Sequence, residues 1–117
     1  MNWIRVLSQQ ELPEGERRLV KVEDRSILLI HHQGALYAMA SACPHMGAGL
    51  IKGKITDDGA IVCPLHHSVF DLKTGDVVSW SPWPPGVGKV LGLVSREKAL
   101  AVFPTRVEAG NIWIGLP

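Results

Sequence analysis

From Trp3 to Met39, clusters of turn-forming residues interrupt the chain about every ten positions, and the apolar residues between them never keep a helical spacing beyond about two turns. Such spacing suits short antiparallel strands. The runs are Trp3 to Leu7, Arg18 to Val22, Ile27 to His31 and Ala35 to Met39, all rich in β-branched or bulky apolar residues. Their punctuation is the turn Glu11-Leu12-Pro13-Glu14-Gly15, the connector Glu23-Asp24-Arg25-Ser26, and Gln33-Gly34, where glycine admits the positive φ of a tight hairpin. The expected class is all-β, a small antiparallel sandwich or barrel.

The same character returns near the end, where Leu100 to Val107 and Asn111 to Ile114 flank Glu108-Ala109-Gly110 as a closing hairpin. The middle differs. From Ser41 to Gly75 two loops rich in Gly, Pro, Cys and His are separated by a hairpin from Ile51 to Val62 that turns at Asp57-Asp58-Gly59. The stretch from Trp80 through Pro82, Pro84 and Pro85 to Gly88 is a surface loop, because its prolines lack the donors of a central strand. Lys89 to Ala99 is ambiguous, with room for a helical turn around Ser95 to Lys98. Residues 1–117 read as a single domain whose functional insert spans about 41–75.

A chain of 117 residues can bury roughly two-thirds of its unfolded surface, so a true core is expected without staples. Net charge is +1 and no run of like charges occurs, which argues against a nucleic-acid footprint and against a membrane-attracting basic face. The opening residues Met1 to Val6 lack the pattern of a secretory signal, and no stretch approaches the length of a membrane span. The expected location is cytoplasmic.

The two cysteines both sit in short Cys-Pro segments that also carry histidine: Cys43-Pro44-His45 and Cys63-Pro64-Leu65-His66. A disulfide would need no histidine behind each cysteine and is rarely kept inside cells. A structural zinc site could use two thiolates and two imidazoles, although such sites usually group cysteine with cysteine and histidine with histidine. A nucleophilic cysteine with a histidine base leaves the duplication unexplained. A mixed iron–sulfur centre needs this combination, with two thiolates on one iron and two neutral imidazoles on the other, and the imidazoles raise the potential by removing negative charge.

These two boxes resemble the ligand boxes of the Rieske-type (2Fe-2S) ferredoxin family. The likeness continues through Gly47, Gly49 and Leu50 after the first box and Phe70-Asp71-Leu72-Lys73-Thr74-Gly75 after the second. It implies an all-β, Rieske-like antiparallel sandwich with a two-loop cluster-binding subdomain. It also implies one (2Fe-2S) cluster, with Cys43 and Cys63 on the inner iron and His45 and His66 on the outer one, where electrons enter and leave. Ser68 matches a hydroxyl that donates to cluster sulfur in high-potential relatives, and Pro84 belongs to a proline-containing loop that covers the cluster in relatives.

Departures from the high-potential branch carry further expectations. Its clamping cysteines correspond to Ala48 and Leu65, and its tyrosine to Phe70. With one hydroxyl donor retained, the resemblance implies a potential in the lower or middle part of the range of about −150 to +300 mV. His67 stands where relatives frequently have glycine. It reads either as an exposed loop side chain whose backbone avoids the glycine-like conformation, or as an added proton- or electron-path group beside the cluster. Trp80 and Trp83 belong either to a stiff apolar lid that anchors a partner or to a surface loop packed on the sheet. His31 and His32 read as ordinary strand-end residues.

The resemblance leaves three roles open. The leading one is a soluble carrier of single electrons between a reductase and an oxygenase-type terminal enzyme. Another is a small electron-transfer subunit bound to the large subunit of an NAD(P)H-dependent nitrite reductase. The third is a structural zinc or cluster-free interaction module. With no second cofactor motif and no credible acid–base pair, the chain is not expected to turn over a substrate alone.

Overall fold

A computed structural model describes residues 2–43, 49–64, 67–79 and 99–117. Among them are strands β1 (Asn2–Ser8), β2 (Arg17–Val22), β3 (Arg25–His32), β4 (Ala35–Ala40), β5 (Lys54–Ile55), β6 (Ala60–Val62), β7 (Val69–Asp71), β8 (Val77–Ser79), β9 (Val102–Phe103), β10 (Thr105–Glu108) and β11 (Asn111–Leu116), with a short 3-10 turn at Gln9–Glu11. All pairings are antiparallel. The all-β expectation holds. No described helix is long and apolar enough to cross a membrane.

The chain divides into two compact units, one comprising Met1–Ser41 with Val102–Pro117, the other Ala42–Ala101. In the first unit, a three-stranded sheet ordered β1-β11-β10 and a four-stranded sheet ordered β2-β3-β4-β9 share one apolar core. Alternation decides which side chains enter it. Ile27 and Leu29 of β3 and Ile112, Ile114 and Leu116 of β11 lie two apart along their strands and are all buried. In β1 the register shifts between Arg5 and Leu7, so Val6 is an extra residue; the bulge lets Ile4 and Leu7 sit opposite Ile114 and Ile112. Without it, residues three apart would point to opposite faces.

Tight reversals set the hairpins. Gln33 and Gly34 both take positive φ, 51° and 79°, as do Ala109 and Gly110 at 53° and 75°, the signature of two-residue turns that suit the strand twist. Glu14 clamps the first of these by accepting the N–H groups of Gln33, at 2.8 Å, and Gly34. The Gly34 bond is the main reason its carboxyl is held below the ordinary glutamate value. His31 Nδ1–H donates to the Leu12 carbonyl at 2.9 Å, tying the strand end to a buried leucine.

Three boundaries differ from the sequence reading. The β2–β3 connector is shorter, because Glu23 takes a φ of 60° and the reversal is complete by Asp24; Arg25 already pairs with Val22. The run from Leu100 to Val107 is not one strand. It breaks at Pro104, which has no N–H, so Val102–Phe103 pairs with β4 while Thr105–Glu108 pairs with β11. In the second unit, Val77–Ser79 forms a strand that was not expected, completing a sheet ordered β5-β6-β7-β8. The expected loop at 80–88 and helical turn around 95–98 lie outside the described residues.

Candidate metal centre

The second unit is built from short strands and tightly bonded turns. After β4, an isolated bridge between Ala42 and Gly49 brackets the first box and brings the chain back on itself just before Leu50, which is fully buried. Cys43 lies inside that bracket at 1% exposure. The β5–β6 hairpin turns at Thr56 to Gly59, where Thr56 Oγ1 donates to Asp58 and the Ala60 N–H donates to Thr56 Oγ1 at 3.1 Å. The expected turn at Asp57-Asp58-Gly59 is present, with Gly59 at φ 85°.

Strand β6 delivers Cys63 to the mouth of the second box at 2% exposure. The β6–β7 ladder closes around this loop. The Cys63 N–H donates to the Ser68 carbonyl at 2.7 Å, and the His67 N–H donates to the Cys63 carbonyl at 3.0 Å. Both backbone groups of Cys63 are therefore fixed. Ser68 is fully buried and is the one buried polar residue among those described.

His67 corrects part of the sequence reading. It is half-buried rather than exposed, and its backbone adopts the glycine-like conformation, with φ 59°. His67 takes this conformation at the end of a turn that its own N–H closes onto the Cys63 carbonyl.

Beyond the box, Phe70 and Leu72 are buried and Asp71 organises the turn that follows, accepting from the N–H groups of Lys73 at 2.8 Å and Thr74 at 3.0 Å. Gly75 takes a φ of 77°, and its carbonyl accepts the Leu100 N–H at 2.8 Å. The Phe70 to Gly75 motif is thus a brace beneath the second box. It supplies two apolar anchors and a carboxylate-capped turn.

Neither Cys43 nor Cys63 is in a disulfide, which removes the bridge alternative. Two shielded thiols, each opening a box that contains histidine, fit the thiolate half of a mixed iron–sulfur centre. Pro44, His45, Ala48, Leu65, His66, Trp80, Trp83 and Pro84 lie outside the described residues.

The family of the Rieske [2Fe-2S] domain matches residues 2–104. The chain belongs to that family. It accordingly binds a single (2Fe-2S) cluster, and the zinc alternative gives way. Among curated relatives, the ferredoxin subunit of 3-phenylpropionate/cinnamic acid dioxygenase from Shigella flexneri is 33% identical over 117 residues, covering all of this chain and 96% of the relative. The ferredoxin component of the alkene monooxygenase system from Xanthobacter autotrophicus is 27% identical over 115 residues, covering 98% of this chain and 82% of the relative. In fold, the Rieske chain resembles the ferredoxin of carbazole 1,9a-dioxygenase from Nocardioides aromaticivorans, with a TM-score of 0.76 at 21% identity and 97% coverage of both chains.

Proposed function

We propose that this Rieske protein is the ferredoxin component of a multicomponent oxygenase system, taking single electrons from a reductase and passing them to a terminal oxygenase. The observation that carries this reading is the pair of buried, unbridged thiols in Cys-x-His and Cys-x-x-His boxes, within a chain aligned along its whole length with a ferredoxin subunit. Cys43 and Cys63 would hold one iron and His45 and His66 the other. When bound, the cluster supplies a one-electron couple tuned by its two imidazole ligands.

The surrounding residues do the rest. Burial of Cys43 and Cys63 keeps water from the thiolate side. The backbone bonds at Cys63 fix the main chain that carries its sulfur. Ser68, enclosed at the base of the second loop, would offer its hydroxyl to a cluster sulfur. We take the protein to be soluble and to act in the cytoplasm, where the redox poise leaves thiols available for iron.

The test is direct. Aerobically purified protein should be coloured, hold two irons per chain, and give on reduction the paramagnetic resonance signal of a mixed histidine–cysteine cluster. The reduced protein should then be reoxidised by a Rieske-type terminal oxygenase in stopped-flow mixing. A colourless protein with stoichiometric zinc, or a reduced protein that such oxygenases leave untouched, overturns the reading.

A further inference from the structure

We propose that Gly53 is a positioning residue, a spacer whose missing side chain sets the separation between the loop that leaves the first ligand box and the strand that enters the second. The inference rests on the ligand assignment proposed above and adds a residue outside both boxes.

Gly53 is buried, and its φ is not in the left-handed region, so conformational freedom is not what glycine supplies here. Space is. A Cβ at this position would lie 2.4 Å from the carbonyl oxygen of Val62, 3.1 Å from Ile61 Cγ1 and 3.1 Å from the carbonyl oxygen of Leu50. Two of these three atoms are backbone and cannot rotate away. The turn is also closed from the first-box side, because the Gly53 N–H donates to the Leu50 carbonyl at 2.8 Å.

Register shows what the contact controls. β5 pairs Ile55 with Ile61 and Lys54 with Val62, so Gly53 directly precedes and Cys63 directly follows the last rung of this ladder. From its other flank Cys63 is held by the rung to Ser68, at 2.7 Å. Cys63 therefore directly follows a strand whose last residue, Val62, abuts Gly53, and the Val62 carbonyl is the atom through which a side chain at 53 would act.

The magnitude decides whether this matters. Carbon atoms essentially never approach such neighbours within 3.0 Å, so a methyl at residue 53 would force the Leu50 turn and β6 apart by about 0.6 Å. Metal–ligand distances in a well-formed site stay within about 0.2 Å of their ordinary values. A backbone shift of that size at Val62, the residue before Cys63, is therefore large enough to be read in the cluster. Gly49 supplies the matched contrast: it also lies between the two boxes, yet a Cβ there would meet nothing within 4 Å.

The experiment compares Gly53→Ala with Gly49→Ala in purified full-length holoprotein, reading iron content, reduced-state g-values, midpoint potential and the rate of cluster loss to a chelator. Backbone amide spectra of Leu29 and Ile112 report whether the sandwich is intact. The expected result is wild-type behaviour in Gly49→Ala. In Gly53→Ala the sandwich should be intact, the g-values shifted, and cluster loss at least tenfold faster. Wild-type g-values, potential and lability in Gly53→Ala overturn the proposal. So do equal effects of both substitutions, and so does collapse of the sandwich in Gly53→Ala, since each assigns the glycine a general role. A wild-type protein that binds no cluster instead sinks the ligand assignment beneath it.

Discussion

In β3, four consecutive residues from Ile27 to Ile30 are at most 1% exposed, whereas no strand of the β5 to β8 sheet exceeds three residues. The first region is held by apolar area spread along long strands. The second adds to a smaller set of buried side chains, among them Leu50, Ile61 and Phe70, a series of bonded turns: Thr56 with Asp58, Asp71 with Lys73 and Thr74, and Cys63 with Ser68 and His67. Long strands average out a local error, because each residue contributes a fraction of the whole. A turn-built site does not average. The two regions should accordingly fail in different ways, one in stability and the other in the properties of the cluster.

The largest separation of these behaviours is expected from Cys63→Ser, which should abolish visible colour and the resonance signal while the amide signals of β3 and β11 persist. Next, Ile114→Ala removes a fully buried side chain from the sandwich core and should cost about 2–5 kcal/mol in denaturant unfolding, with unchanged g-values in the folded fraction. Ser68→Ala should lower the midpoint potential by about 40 mV, corresponding to a hydrogen bond of ~1 kcal/mol in a one-electron couple, as read by voltammetry. Replacing His67 with glycine relieves a left-handed conformation and should raise thermal stability by somewhat under 1 kcal/mol, the relief being partly offset by the greater freedom of the unfolded glycine.

The smallest effect concerns Glu14. The Gly34 N–H holds its carboxyl below the ordinary glutamate value, so the clamp on the Gln33-Gly34 turn is complete above that ordinary value and is lost as pH falls through the depressed one. Amide shifts of Gln33 and Gly34 should titrate there, and Glu14→Gln should remove the titration.

Most of the sandwich was legible because strand alternation and two-residue turns are local signals. Gln33-Gly34 and Ala109-Gly110 behave as their composition suggests. Pro104 was a visible signal whose consequence was missed, since a proline inside an apolar run separates strands that then join different sheets. The bulge at Val6 and the strand Val77–Ser79 carry weak local signatures, for both depend on what pairs alongside. Cys43 and Cys63 were readable from spacing because ligand chemistry demands particular residue types. Gly53 was not, because its role is defined by where a carbonyl oxygen of the neighbouring strand lies.

The pairing of β4 with β9 has one more consequence. The chain departs the sandwich after β4 and re-enters it through the neighbouring strand, so everything between Ala42 and Ala101 is, topologically, a single enlarged hairpin connection. Such a connection can be exchanged without rethreading any other strand. Transplanting a different redox excursion onto the same pair of strand ends is therefore a natural engineering route, and lengthening or shortening it leaves every sandwich register as it stands.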